Sequence, residues 1–263
     1  MEPQKLGDFL KWEPHYPDAI IGNGVLYEQN KLIMYGREGI GKSMLAMNLD
    51  MSLIGGVPWT GFDIKGDHKV IYLQMEIPHP LLHKRLMKMY DAWKVLYGDP
   101  NDMLDRFYVW TEPFLKLDDA VGYKLLRAQL EKVRPTILII DPLYKALSGN
   151  ILDPNSARAF VDSIDALMAE FKFCIVLIHH TRKGTIDEES DANPDDDMLG
   201  SAVFSWWADT IIKITKKGEK DRKVLLQLSF DKVRHAEDII DPKEVIFDRE
   251  DLQFYLSEKK IIV

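Results

Sequence analysis

The stretch GREGIGKS, from Gly36 to Ser43, decides the fold of this chain. It matches the pattern G-x-x-x-x-G-K-[S/T], follows the apolar run KLIMY at 31–35 and precedes a helical pattern at 42–54. Glycines let backbone N–H groups turn inward around phosphates, and the helix that follows points its positive N-terminus at them. A strand, a glycine-rich loop and a helix in this order predict a phosphate-binding loop, rather than a surface turn that matches by chance.

The residues of this loop have separate expected roles. Lys42 is expected to reach the β- and γ-phosphates, and the hydroxyl of Ser43 is expected to bind Mg²⁺. ATP and Mg²⁺ are therefore the predicted cofactors. The predicted nucleotide-binding residues are Gly36, Arg37, Glu38, Gly39, Ile40, Gly41, Lys42, Ser43 and Met44.

Short apolar runs alternate with longer amphipathic segments up to residue 208. Besides 31–35 and 42–54, strands are predicted at 68–75, 106–110, 136–140 and 173–178, and helices at 79–97, 118–132 and 155–171. The last helix is expected to begin at Asn155 or at Asp153-Pro154. The alternation predicts an α/β fold with a mostly parallel central sheet flanked by helices.

The pattern changes after residue 209. Four apolar runs follow one another with short polar links, which predicts antiparallel β-hairpins that extend the sheet. We expect a single domain over 1–263, with an N-terminal arm and opening strand (1–30), an α/β core (31–208) and a β extension (209–263).

The net charge, the length of the apolar runs and the cysteine count exclude several classes of protein. The net charge of -8 gives no overall attraction to nucleic acid or to an anionic membrane, so a nucleic-acid contact needs a local basic patch. No apolar run approaches the ~20 residues needed to cross a bilayer, and the N-terminus has no signal-peptide core. The single cysteine, Cys174, excludes a disulfide framework, and we expect a cytoplasmic protein without membrane contact.

Two carboxylates follow predicted strands. Asp141 ends the run TILIID, where we expect it to hold Mg²⁺ directly or through water. Pro142 comes next instead of a second carboxylate, so the group that activates water must lie elsewhere. Glu76 follows the strand after the phosphate-loop helix, and the C-terminal ends of parallel strands share one edge of the sheet. We therefore expect Glu76 to orient the attacking water as a base, the alternative being a strand-end surface carboxylate.

Two further pairs of residues have the chemistry of phosphate contact. The strand at 173–178 ends in His179 and His180, and we expect His180, more than His179, to touch the γ-phosphate; the alternative is histidines that bond nearby backbone. Lys232 and Arg234 follow a later strand and, two residues apart, face the same way. They are expected to reach the γ-phosphate of a neighbouring subunit, with Arg234 the stronger candidate; ordinary exposed charges are the alternative.

Together these segments resemble the RecA-like ATPases of the RepA type, the small hexameric replicative helicases that are related to DnaB. The resemblance covers about residues 18 to 236. It is carried by GREGIGKSMLAMNLDMSLIGG, VIYLQMEIPHPLLHKRL, TILIIDPL, CIVLIHHTRKG, LGSAVFSWWAD and SFDKVRHAE. It implies a RecA-like P-loop core, a homo-oligomer in the form of a hexameric ring, ATP between its subunits, and single-stranded DNA in its pore.

The expected DNA contact has one departure from the family pattern. The resemblance places this contact on the loop that begins with Arg182 and Lys183, but the segment 184–198 carries seven carboxylates and no basic residue. Such a segment should repel a phosphate backbone. Either Arg182 and Lys183 hold DNA while the acidic part swings away, or this loop does not grip DNA. A second basic segment, KKGEKDRK at 216–223, is equally well explained as a solvated hairpin turn.

Three functions remain open from the sequence. The first is an ATP-driven motor that moves on single-stranded DNA as a replicative helicase. Since no primase or zinc-binding segment is present in the sequence, priming would need another replication protein. The second is a regulatory or assembly ATPase of the RecA/KaiC kind, whose acidic loop meets a basic partner or competes with DNA. The third, a small-molecule P-loop kinase, explains neither the position of Glu76 nor the hairpin-rich C-terminal part.

Overall fold

The computed structural model describes residues 2–14, 19–98, 103–181 and 202–257. The strands are β1 (Lys31–Gly36), β2 (Val70–Gln74), β3 (Phe107–Thr111), β4 (Ile137–Asp141), β5 (Cys174–His180), β6 (Thr210–Lys220), β7 (Lys223–Val233), β8 (Lys243–Asp248) and β9 (Phe254–Leu256). The helices are α1 (Leu6–Phe9), α2 (Lys42–Gly55), α3 (His79–Tyr97), α4 (Ala120–Val133), α5 (Pro154–Phe171) and α6 (Ala202–Trp207). Two 3₁₀ helices span Leu104–Arg106 and Leu143–Ala146.

Within these residues the strands form one sheet in the order β3-β2-β4-β5-β1-β6-β7-β8-β9. The strands from β3 to β6 are parallel, and β7, β8 and β9 are antiparallel to their neighbours. The predicted α/β fold with a mostly parallel sheet and antiparallel C-terminal strands is confirmed. The run TIIKIT has a double role, because β6 lies parallel to β1 on one side and forms a hairpin with β7 on the other.

The central strands are buried on both faces, as their nearly continuous apolar sequences predict. In β1, Leu32 and Met34 belong to the core shared with α2 and α3, whereas Ile33 and Tyr35 belong to the core shared with α4 and α5. Side chains alternate between the faces of a strand, so one short strand contributes to both layers.

The helix ends follow local capping chemistry. Asp153 accepts hydrogen bonds from the backbone N–H groups of Asn155 and Ser156, and Pro154 is the first residue of α5. Of the two predicted starts, the structure therefore has the Asp153-Pro154 form, in which proline occupies a position that needs no N–H donor. Asp119 caps α4 in the same way.

The C-terminal strands reach back to the helix that follows the phosphate loop. The amide of Asn48 in α2 donates to Oε1 of Gln253 at 3.1 Å, and Nε2 of Gln253 donates to the carbonyl of Met89 in α3 at 2.9 Å. The ring of Phe247 in β8 stacks on Phe254 in β9, with 4.7 Å between the ring centroids. Helix α2 is therefore covered on several sides, which explains why most of its residues are buried.

Candidate functional site: a phosphate-binding loop at the C-terminal edge of the sheet

The loop Gly36–Ser43 connects β1 to α2 and has the backbone that its glycines predict. Gly39 has φ +78° and Gly41, the N-cap of α2, has φ +106°, a region that L side chains rarely adopt. A Cβ on Gly36 would lie 2.4 Å from the carbonyl oxygen of Ile214 in β6. Glycine is thus required both for the turn and for the close approach of two strands.

Lys42 points into this loop and is 5% exposed. Its Nζ donates to the carbonyl oxygens of Gly36 at 2.8 Å and Arg37 at 2.6 Å. Burial lowers its pKa to about 8, an effect that the nearby carboxylates of Asp141, Glu38 and Glu76 partly offset. The side chain is therefore a positive charge at neutral pH that is aimed at the phosphate loop.

Asp141 lies at the C-terminal end of β4 and is 2% exposed. Tyr72 Oη donates to its Oδ2 at 2.5 Å, and the Ser43 hydroxyl also donates to the carboxylate. Burial raises the pKa of Asp141, and these two hydrogen bonds work in the opposite direction. A hydroxyl and a carboxylate in contact beside a phosphate loop are the oxygen ligands that Mg²⁺ takes, so these residues fit the ion.

Glu76 lies on the same edge, because β2 and β4 are parallel and Gln74 pairs with Asp141. The side-chain oxygen of Gln74 accepts hydrogen bonds from the backbone N–H groups of Glu76 and Ile77, each at 2.7 Å. Glu76 is exposed, and its Oε1 accepts a hydrogen bond from the hydroxyl of Tyr144. The structure thus brings Glu76 to the edge that carries Lys42 and Asp141.

The two histidines at the end of β5 are not equivalent. Nδ1 of His180 lies 3.3 Å from Nζ of Lys42, so its ring faces the phosphate loop. His179 is fully buried on the opposite face of the sheet, where its ring contacts that of Phe204 in α6. Burial lowers the pKa of His180, and the charge of Lys42 adds to this effect. The ring of His180 is therefore neutral at pH 7.

Lys232 and Arg234 lie at the other end of the sheet. Lys232 Nζ donates to the carbonyl of Ser205 at 2.9 Å, and Arg234 Nη1 forms an ion pair with Oδ1 of Asp209 at 2.7 Å. Asp209 in turn accepts from the backbone N–H of Lys31, the first residue of β1. The five residue steps of β1, about 3.3 Å each, separate this point from Gly36 by about 17 Å. The phosphate loop of the same chain is therefore out of reach of Arg234.

A cavity of about 720 Å³ opens between the segment 19–24 and the loop 235–243. Its lining includes Lys65, His235 and Lys243, together with the carboxylates of Asp63, Glu237, Asp238 and Asp241. None of its lining residues belongs to the loop Gly36–Ser43, so this cavity is separate from the candidate nucleotide site.

Of the two segments predicted to contact DNA, the segment 216–223 lies among the described residues. Arg182, Lys183 and the acidic segment 184–198 lie outside the described residues. The basic segment 216–223 forms the tip of the β6–β7 hairpin, where Lys216 pairs with Glu219 at 2.6 Å and Glu219 also pairs with Arg249. Nearby carboxylates thus offset part of the positive charge at this tip.

Sequence reasoning missed two residues of the site. Tyr72 lies within an apolar strand sequence that did not indicate a role in the site, although its hydroxyl donates to Asp141. Tyr144 comes three residues after Asp141, and a hydroxyl so close to a strand end was the one available signal that it could reach the site. Among the described residues, no three His, Cys, Asp or Glu side chains form a group that could hold a metal ion.

A family model described as AAA domain matches residues 2–185. The chain belongs to the AAA domain family. Since the matched range ends at residue 185, strands β6 to β9 and the pair Lys232 and Arg234 lie beyond the part of this AAA domain protein that the family model covers.

A solved structure agrees with this family. The AAA domain protein is similar to a structure whose title describes it as an ATPase domain, with a TM-score of 0.62 and 14% sequence identity, over 88% of this chain and 85% of that chain. The likeness confirms the predicted RecA-like fold. No curated protein matches the chain. In the described residues, no helix is both long enough and apolar enough to span a membrane.

Proposed function

We propose that this protein is an ATP-hydrolysing ring motor, a replicative helicase that moves on single-stranded DNA. The proposed ring is supported by the position of Arg234, which lies far from the phosphate loop of its own chain. If Arg234 contacts a γ-phosphate, that phosphate is bound by another subunit, because the loop of its own chain lies at the opposite end of β1. The DNA substrate rests on the resemblance of the motifs to RepA-type helicases.

ATP would be held by the loop Gly36–Ser43, with Lys42 on the β- and γ-phosphates and Met44 at the start of α2. Ser43 and Asp141 would hold Mg²⁺, which neutralises charge on the phosphates when it is bound. The support for this arrangement is the buried ammonium of Lys42 and the hydrogen bond between Ser43 and Asp141.

Hydrolysis would use Glu76 as the base. Water attacks the γ-phosphorus, its proton passes to the Glu76 carboxylate, and the bond between the γ-phosphorus and the bridging oxygen breaks to release ADP. His180 would contact the γ-phosphate beside Lys42. Its neutral ring can donate from Nε2 while Nδ1 accepts from Lys42. When the γ-phosphate leaves, His180 would lose this contact, and the change would pass to the segment that begins at Arg182 and Lys183.

A regulatory or assembly ATPase is the second candidate. The observation that favours it is the charge of the segment 184–198, whose seven carboxylates suit a basic protein partner better than DNA. In this case nucleotide would control assembly, and hydrolysis would be slow and independent of DNA.

The test is steady-state ATP hydrolysis with and without single-stranded DNA, across a range of protein concentrations. The motor predicts that DNA raises the rate and that the rate per subunit rises steeply as subunits assemble. Lys42→Ala is the matched control, because it should weaken nucleotide binding and remove the DNA effect together. A rate that does not respond to DNA would reject the motor and favour the regulatory ATPase.

A further inference from the structure

Tyr144 touches two residues of the candidate site at once. It lies in the 3₁₀ helix Leu143–Ala146, directly after β4. Its hydroxyl donates to Oε1 of Glu76, and its ring meets that of His180 edge-on, with 5.7 Å between centroids and an interplanar angle of 63°. His180 in turn contacts Lys42 at 3.3 Å. A continuous chain of contacts therefore runs from Lys42 through His180 and Tyr144 to Glu76.

Tyr144 is the donor in its hydrogen bond with Glu76. Burial raises the pKa of the Tyr144 phenol, and the hydrogen bond to Glu76 raises it further. The phenol therefore keeps its proton and can only donate to the carboxylate. Tyr144 uses one lone pair of Oε1, so both lone pairs of Oε2 remain to accept a proton from water.

Glu76 is thus held at two levels. Its backbone N–H is fixed by the side chain of Gln74, and its carboxylate is fixed by Tyr144. An exposed glutamate that lacked the second contact could adopt several rotamers, and a displacement of about 1 Å in a catalytic group can lower a rate by about 100-fold.

We propose that Tyr144 is a positioning residue, which orients the Glu76 carboxylate towards the attacking water and couples it to the phosphate-facing His180. This inference rests on the proposed role of Glu76 as the base.

The fold does not need the hydroxyl of Tyr144. Leu143 and Ala146 anchor the 3₁₀ helix, since both are fully buried in the core under β4 and β5. Tyr144 itself is half-buried, with its polar end at the site. Replacing its hydroxyl by hydrogen should therefore leave the fold and the ring contact with His180 intact.

The test compares Tyr144→Phe with the wild type in ATP hydrolysis and in the binding of a fluorescent ATP analogue. We expect kcat to fall by about 10- to 100-fold, with KM and nucleotide affinity within about twofold of the wild type. Tyr255→Phe is the matched control, because it removes a similar bond, from Tyr255 to Asp251, at a distant part of the chain. This control should hydrolyse ATP like the wild type.

Glu76→Gln and the double variant Tyr144→Phe with Glu76→Gln separate the inference from the proposed function. If Tyr144 acts through Glu76, the double variant should be no slower than Glu76→Gln alone. Hydrolysis that does not depend on Glu76 would reject the proposed base and this inference with it. If hydrolysis depends on Glu76 but Tyr144→Phe leaves kcat unchanged or raises it, the inference alone is overturned.

Discussion

Nζ of Lys42 lies 3.3 Å from Nδ1 of His180 and also donates to the carbonyl oxygens of Gly36 and Arg37. An ammonium group has three N–H donors, so these three acceptors use all of them. A phosphate can be bound only by replacing one or more of these contacts. The His180 contact is the longest of the three, which makes it the first candidate for exchange.

The pKa of Lys42 leads to a prediction for nucleotide binding. Burial places this pKa at about 8, and bound phosphates would raise it because they favour the charged form. Affinity should thus be nearly constant below pH 8 and should fall by up to about tenfold for each further pH unit. The measurement is a titration with a fluorescent ATP analogue at several values between about pH 7 and 9.5, which bracket this pKa. In Lys42→Ala the remaining weak affinity should lose this dependence; if it is retained, another group is responsible.

Asp50 leads to a prediction for stability. Its side chain is fully buried in α2, and neither carboxylate oxygen has a hydrogen-bond partner among the described residues. Burial raises its pKa well above the ordinary value, and the nearby Asp141 adds to this. Because the folded form holds the proton more tightly than the unfolded chain, the free energy of unfolding falls as the pH rises above about 4. Asparagine does not ionise, so in Asp50→Asn the free energy of unfolding should not fall in this way.

We therefore expect Asp50→Asn to be more stable than the wild type at pH 7, by about 1.4 kcal/mol for each pH unit, up to pH 7, over which the folded carboxyl stays protonated and the unfolded one does not. The gain should shrink towards about pH 4, where the wild-type carboxyl is protonated in the folded state and increasingly so in the unfolded chain. Urea unfolding at about pH 4.5 and at neutral pH measures both effects. Asp162→Asn, on the exposed side of α5, is the control and should show no such gain. An equal or lower stability of Asp50→Asn at pH 7 would contradict the prediction.

Gln253 leads to a prediction that links the C-terminal hairpin to the nucleotide. Gln253→Leu would leave the buried amide of Asn48 without its acceptor and would remove a second donor from the carbonyl of Met89, which lies inside α3. An unsatisfied buried group costs about 1–3 kcal/mol. We expect a lower free energy of unfolding and weaker nucleotide binding, because α2 carries Lys42 and Ser43 at its start. In a double-mutant cycle, Asn48→Leu and Gln253→Leu should be non-additive; additive effects would mean that the two side chains act separately.

Arg234 leads to a prediction about sharing between subunits. Arg234→Ala should bind ATP but lose hydrolysis, whereas Lys42→Ala should bind ATP only weakly and should not hydrolyse it. In an equal mixture, a subunit with an intact phosphate loop can lie beside one with an intact Arg234. If subunits exchange freely in a closed ring, about a quarter of the interfaces would regain both groups, and hydrolysis should reappear. A mixture that stays as inactive as its components would contradict action across the interface.

The sequence predicted those parts of the site that depend on short-range pattern. A strand, glycines and a helix at Gly36–Ser43 define the phosphate loop, and parallel strands necessarily bring Glu76 and Asp141 to one edge. Contacts between distant segments were not predictable. Asn48 and Gln253 are 205 residues apart. The ion pair of Arg234 with Asp209 depends on the register of β6 against β7, which the sequence does not specify.

The bracing of α2 by Gln253 also orders events during synthesis. The phosphate loop and α2 are made first, but the side chain that ties Asn48 to α3 is made 205 residues later. At about 5–20 residues per second this interval is roughly 10 to 40 s. During this interval the largely apolar helix α2 lacks the contact with Gln253 that completes its packing. The same contact that stabilises the finished protein therefore defines a period in which a ribosome-bound chain would benefit from a chaperone.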